Sequence, residues 1–109
     1  NYCKGLSLMM LKNYDDAIAQ FDRCIAIDDK FAVAYSNRAA SKASQNNLSG
    51  AIIDCNKAIE LDKSNKQFYF VRAGIRMFSN DTIGSCEDLE KAKNLGFDKV
   101  QVLIEKFCN

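Results

Sequence analysis

Apolar residues recur along this chain at spacings of three and four, the period of a helix with one buried face. Within residues 32–45, Ala32, Tyr35, Ala39 and Ala43 fall near one face, and residues 50–61 carry a second stripe of Ile52, Cys55, Ile59 and Leu61. The intervening NNLS reads as a turn, because Asn tolerates left-handed backbone and its side chain caps helices. The same punctuation appears at Asn13, Asn46–Asn47 and Asn80–Asp81, while Asp28, Asp62 and Gly96 close the second helix of each pair. Beyond Gly96, Val100, Leu103, Ile104 and Phe107 follow the i, i+3, i+4, i+7 pattern. A final amphipathic helix is therefore expected over 98–108, capped by Asp98.

The pattern repeats. Cys24, Cys55 and Cys86 stand 31 apart, but their neighbours do not match at that offset; at 34 they do. Ala17 and Ile18 meet Ala51 and Ile52; Tyr35, Arg38 and Ala39 meet Tyr69, Arg72 and Ala73; Asp54, Lys57 and Ala58 meet Asp88, Lys91 and Ala92. Self-similarity at this period marks a helical solenoid, and the final helix covers the open end of the stack, which such arrays need for solubility. A cation also recurs once per period, at Lys4, Arg38 and Arg72, matched on the second helix by Gln20, Asp54 and Asp88. Arg meets Asp and Lys meets Gln, which predicts Arg38–Asp54 and Arg72–Asp88 ion pairs within each hairpin. Partly exposed, they would contribute about 1 kcal/mol or less each.

Composition narrows the chemistry. The 109 residues are 48% hydrophobic and 27% charged with a net charge of +1, a globular balance with no bulk pull toward nucleic acid or membrane. Apolar runs such as LSLMML at 6–11 are too short to span a bilayer, and no signal leader is visible. There is no His, which removes Ser-His-Asp and Cys-His nucleophile systems and weakens any zinc reading. The five Cys are odd in number and lack a CxxC pair, arguing against a disulfide framework and a zinc cluster. In the 34 register Cys24, Cys55 and Cys86 align with apolar residues, so they read as core fillers whose free thiols favour a reducing, cytoplasmic setting. Acid pairs at Asp15–Asp16, Asp28–Asp29 and Glu87–Asp88 fall at helix ends or on second helices and do not converge. Asn47-Leu-Ser and Asn80-Asp-Thr fit the glycosylation pattern but sit in turns, where capping is the simpler role. No phosphate loop or dinucleotide fingerprint appears. No catalytic residue, cofactor or metal is expected, and the chain reads as a non-enzyme.

The repeats resemble tetratricopeptide repeats. That family's first helix carries a large residue, then a small one four later; its second helix carries a small residue, an aromatic and another small residue. Here the second repeat supplies Tyr35, Ala39, Ala51, Cys55 and Ala58, the first Gly5, Ala17, Phe21 and Cys24, and the third Tyr69, Ala73, Ser85, Leu89 and Ala92. The Pro that often follows the second helix is replaced by Asp29 and Lys63, Ser85 and Leu89 weaken the third repeat, and Asn1 stands where the first large residue belongs. The ending CEDLEKAKNLGF is similar to the last repeat of many bacterial members. The resemblance implies an all-α, right-handed α-solenoid of three antiparallel helix pairs plus a C-terminal capping helix. It would form one domain over 1–109, with repeats at about 1–31, 32–65 and 66–97 and the cap at 98–108.

It also implies a concave groove lined by first-helix residues not used in packing. The positions that correspond are Tyr2, Leu6 and Met9 in the first repeat, Val33, Asn37 and Ala40 in the second, and Phe70, Val71, Gly74 and Met77 in the third, with Phe78 beside them. Some members clamp an acidic C-terminal tail with Lys, Arg and Asn. Asn37 fits that scheme, but the other clamp positions fall on Tyr2, Leu6, Gln67 and Val71, and without cations nothing offsets desolvation of a carboxylate. The groove is apolar and Met-rich, which suits an apolar peptide or partner helix. The same side chains could instead pack against neighbouring helices, or serve self-association of a larger protein as a homo-oligomer. The expected partner is a protein or peptide, with no nucleic acid and no membrane span.

Overall fold

The computed structural model describes residues 13–108. Its elements are α1 (Tyr14–Ile27), α2 (Ala32–Ser44), α3 (Leu48–Leu61), α4 (Lys66–Phe78), α5 (Thr82–Asn94), a 3₁₀ turn (Asp98–Val100) and α6 (Gln101–Phe107). No strand occurs among the described residues. α2 and α3 form one antiparallel hairpin and α4 and α5 a second; α1 packs on α2, and α6 packs on α5.

Local chemistry sets these boundaries. Asn46 and Asn80 adopt φ of 65° and 64°, the left-handed conformation that Asn tolerates. The next backbone N–H then reaches back across the helix end, Asn47 to the Lys42 carbonyl and Asp81 to that of Arg76, each at 2.8 Å. The residue that closes one helix also starts the next: the Asn47 side chain accepts from the Gly50 N–H at 3.1 Å, and that of Asp81 from the Gly84 N–H at 2.9 Å. Because Asn47 is the cap, α3 begins at Leu48, two residues earlier than the stripe alone suggested. Asn65 caps α4 in the same way, accepting from the Gln67 N–H. At the positions where the family often has Pro, the backbone carbonyls of Asp29 and Lys63 accept the hydroxyls of Tyr35 and Tyr69, at 3.1 and 2.9 Å.

Small residues let the helices approach. Ala17, Ala39, Ala51, Ala58 and Ala92 are 0% exposed, and Phe21 fills the gap beside Ala17, Cys24 and Ala34. Close-packed contact at such positions holds helices at short interaxial distance. Ser85, the polar departure at a small-residue position, is buried because its hydroxyl donates to the Ala73 carbonyl at 2.9 Å. Leu89 is likewise buried in the main core with Phe68, Tyr69 and Ala73.

The capping segment departs from expectation. Residues 98–108 do not form one helix: Asp98 lies inside the 3₁₀ turn and makes no side-chain cap, and α6 begins only at Gln101. Gly96, at φ 105°, turns the chain so sharply that a tight turn precedes the helix. The apolar stripe still docks, with Val100 and Ile104 buried, while Phe107 keeps 44% of its surface exposed. This fold-back also overturns the reading of the cysteines. Cys24 and Cys55 are buried free thiols, but Cys86 and Cys108 form a disulfide between α5 and the end of α6, their Cα atoms 5.8 Å apart. No spacing rule could reveal it, since the docking of α6 creates the proximity. With a bridge present, the argument from free thiols to a reducing compartment no longer holds.

Candidate functional site

The two predicted ion pairs form, and they repeat in detail. Arg38 grips Asp54 through Nε and Nη2 at 2.9 and 2.8 Å, and Arg72 grips Asp88 through the same atoms at 3.0 and 2.8 Å. Each Arg extends its Nη1 to the preceding helix, reaching Asp22 at 2.7 Å and Asn56 at 3.0 Å. A second cation one turn along completes each site, Lys42 on Asp54 at 3.0 Å and Arg76 on Asp88 at 2.9 Å. The carboxylates are 4% exposed, so the pairs are more deeply placed than the sequence suggested. The hydrogen bonds to Asp54 and Asp88 raise the pKa values of Arg38 and Arg72 above the ordinary guanidinium value. The extra cations, and the links to Asp22 and Asn56, were not read from the sequence; the i, i+4 spacing of Arg38–Lys42 and Arg72–Arg76 was the signal.

Consequently four of the five Lys and Arg residues on α2 and α4 are committed to buried carboxylates. What lines the clefts along this face is uncharged and mostly apolar. A cleft of about 520 Å³ lies between α2 and α4, lined by Ala40, Ala43, Ser44, Asn46, Leu48, Phe70, Val71, Gly74, Ile75 and Phe78. A smaller one of about 190 Å³ lies between α4, α5 and α6, with Met77, Leu89, Leu103 and Phe107 in its wall. The clefts share Phe70, Gly74 and Phe78, so they run side by side along α4. Neither lining contains a charged side chain. Phe78 is 77% exposed and Met77 half-buried, so Phe78 at least is not core.

Gly74 shapes the shared floor. A Cβ built there meets nothing within 4 Å and the backbone is ordinary helix, so the fold has no steric need for glycine. Its presence lowers the crest of α4 between Phe70 and Phe78, one turn away on either side. A mid-helix Gly costs roughly 1 kcal/mol relative to Ala.

Of the sequence-predicted groove residues, Ala40, Phe70, Val71 and Gly74 line the larger cleft, and Phe70, Gly74 and Met77 the smaller. Val33 is half-buried against the main core and lines neither. Asn37 is half-buried, with its backbone carbonyl accepting the Ser41 hydroxyl at 3.1 Å, and also lines neither cleft. Tyr2, Leu6 and Met9 lie outside the described residues. Leu103 and Phe107, supplied by α6, were not foreseen as groove residues, because only the fold-back places them there. Among the described residues no group of His, Cys, Asp or Glu could hold a metal ion, and no helix is long and apolar enough to cross a membrane.

Comparisons with known proteins agree with this architecture. Residues 2–31 match the family description "Tetratricopeptide repeat". A DnaJ homolog subfamily C member 7 homolog of Dictyostelium discoideum is 33% identical over 84% of this chain and 18% of its own length. The chain thus spans under a fifth of that relative, and a tenth of mouse sperm-associated antigen 1, 31% identical over 93% of this chain. Among solved structures, the second tetratricopeptide domain of Spaghetti (RPAP3), bound to the HSP90 peptide SRMEEVD, superposes with a TM-score of 0.82 at 28% identity, covering 86% of this chain and 87% of that one. The 34-residue register, the hairpins built on it and these likenesses identify the chain as built of tetratricopeptide repeats.

Proposed function

We propose that this domain is a protein-interaction scaffold that takes an apolar segment of a partner, helical or extended, in the groove along α4. The observation that carries the reading is the uncharged pair of clefts on either side of Phe70, Gly74 and Phe78. Burying apolar side chains there removes exposed hydrophobic surface on both partners, worth about 25 cal/mol per Å² before the costs of association. Val33 and Asn37 on α2 would extend the same face beyond the two clefts.

This differs in chemistry from the acidic SRMEEVD peptide held by the related domain. An acidic tail needs free cations, and here Arg38, Lys42, Arg72 and Arg76 are already within 3.0 Å of Asp54 or Asp88. The test is selection from a displayed peptide library, with SRMEEVD as comparison. Enriched peptides should carry two or more apolar residues at i, i+3 or i+4 spacing, and Phe70→Ala plus Met77→Ala should abolish their capture. SRMEEVD should bind more weakly than about 1 mM. Enrichment of acidic C-termini, or capture indifferent to the double substitution, would reject the assignment.

A further inference from the structure

The Cys86–Cys108 bridge belongs to no part of the repeat pattern, yet it sits at the wall of the groove. Cys108 directly follows Phe107, which with Leu103 walls the smaller cleft against Met77 and Phe78. α6 has only seven residues, too few to be a stable helix alone, and is held by burial of Val100 just before it and Ile104 at its middle. Its far end, where Phe107 stands half-exposed, is tied down by the bridge across 22 residues. The bridge is also within reach of solutes. Both cysteines line a wide-open cleft of about 500 Å³ on the outer side of α5, beside Ile83, Glu87 and Glu90. The remaining described thiols cannot compete in exchange: Cys24 and Cys55 are buried, and burial pushes the Cys55 thiol up to about 12.

We infer that the Cys86–Cys108 disulfide is a redox control on the groove, holding Phe107 beside Leu103 as one wall when oxidised and releasing Phe107 when reduced. This rests on the groove reading above and adds its regulation. The reductant is a dithiol. One of its thiolates attacks a sulfur of the bridge, forming a mixed disulfide and freeing one cysteine; its second thiolate then closes on the first, freeing the other. Two electrons and two protons end on Cys86 and Cys108, and the dithiol leaves as a cyclic disulfide. The S–S bond is the sole covalent bond broken in the protein. With the tether gone, the end of α6 frays from Glu105 onward, Phe107 included, while Val100 and Ile104 keep its first half in place. A groove wall that must be reordered on binding weakens affinity by about threefold to tenfold, the cost of immobilising one or two side chains.

The experiment uses the whole chain with its methionine methyl groups carbon-13 labelled, before and after dithiothreitol, with Cys108→Ser beside it. Non-reducing peptide mapping should find 86 and 108 cross-linked before treatment. Reduction should shift the Met77 methyl resonance beyond its linewidth and speed amide exchange over Glu105–Cys108 by at least about tenfold. Cys108→Ser should show the reduced spectrum with or without dithiothreitol, and if that variant fails to fold, the reduced wild type carries the test alone. A Met77 resonance and α6 exchange that ignore dithiothreitol, or 86 and 108 found unlinked, would overturn the inference. These readouts need no bound peptide, so a groove that captures nothing from the library would leave them standing, and redox-insensitive readouts would leave the groove reading standing.

Discussion

At the scale of single residues, the least replaceable side chains are Asp54 and Asp88. Each carboxylate is 4% exposed and collects two cations, so it joins the two helices of one hairpin at a point where water cannot substitute. Asp88→Asn leaves Arg72 and Arg76 facing a neutral amide. Breaking a buried pair from one side costs several kcal/mol; with the arginines themselves partly exposed, about 2–3 kcal/mol is expected, read as a fall of roughly 10 °C or more in thermal unfolding. Asp22→Asn, at a carboxylate 54% exposed, should change stability by less than about 0.5 kcal/mol. Cys55 makes a second prediction. Its folded-state thiol is raised from near 9 to about 12 by burial, with the charge of Arg72 opposing. The unfolded chain therefore gives up that proton first, so the contribution is intact below about pH 9 and is lost as pH climbs toward 12. Urea unfolding between pH 9 and 11 should show a slope about 1.4 kcal/mol per pH unit shallower in Cys55→Ala than in the wild type.

At the scale of elements, the turns and caps were the most legible features and the final helix the least. Asn46 and Asn80 announce left-handed turns because so few residues tolerate that backbone, and the structure places both there. Asn80→Ala should cost about 1 kcal/mol while Asn80→Gly costs almost nothing, a contrast that equilibrium unfolding measures directly. The Arg–Asp pairing was legible too, since it covaries between repeats; its burial was not, because burial depends on how closely alanines let the hairpins approach. The 98–108 segment resisted reading for the opposite reason. Its stripe predicts a helix, but Gly96 and the short distance back to α5 convert the first turn to 3₁₀, and Asp98 loses its capping role. Gly74 separates the groove proposal from stability. Gly74→Ala should raise stability by roughly 0.5–1 kcal/mol, since the added Cβ meets nothing, yet lower affinity for library-selected peptides by filling the groove floor.

At the scale of the molecule, the 34-residue register fixes the order of the hairpins, and the order fixes which faces of α2, α4 and α6 lie side by side. Four of the ten predicted groove positions meet in the larger cleft, and Met77 joins Phe70 and Gly74 in the smaller. The sequence could not supply Leu103 and Phe107, because contacts made by a terminal fold-back have no counterpart in the repeat. The fold is shared with the domain that holds SRMEEVD, while here Arg38, Lys42, Arg72 and Arg76 are paired with Asp54 and Asp88. The measurement that bears most directly on the central claim is an amide and methyl NMR titration of the oxidised chain with a library-selected apolar peptide. Perturbations centred on Ala40, Phe70, Val71, Gly74, Met77 and Phe78 are predicted. Perturbations centred instead on the outward-facing Ile53 and Ile83, or shifts that follow protein concentration without peptide, would contradict the groove and point to another surface or to self-association.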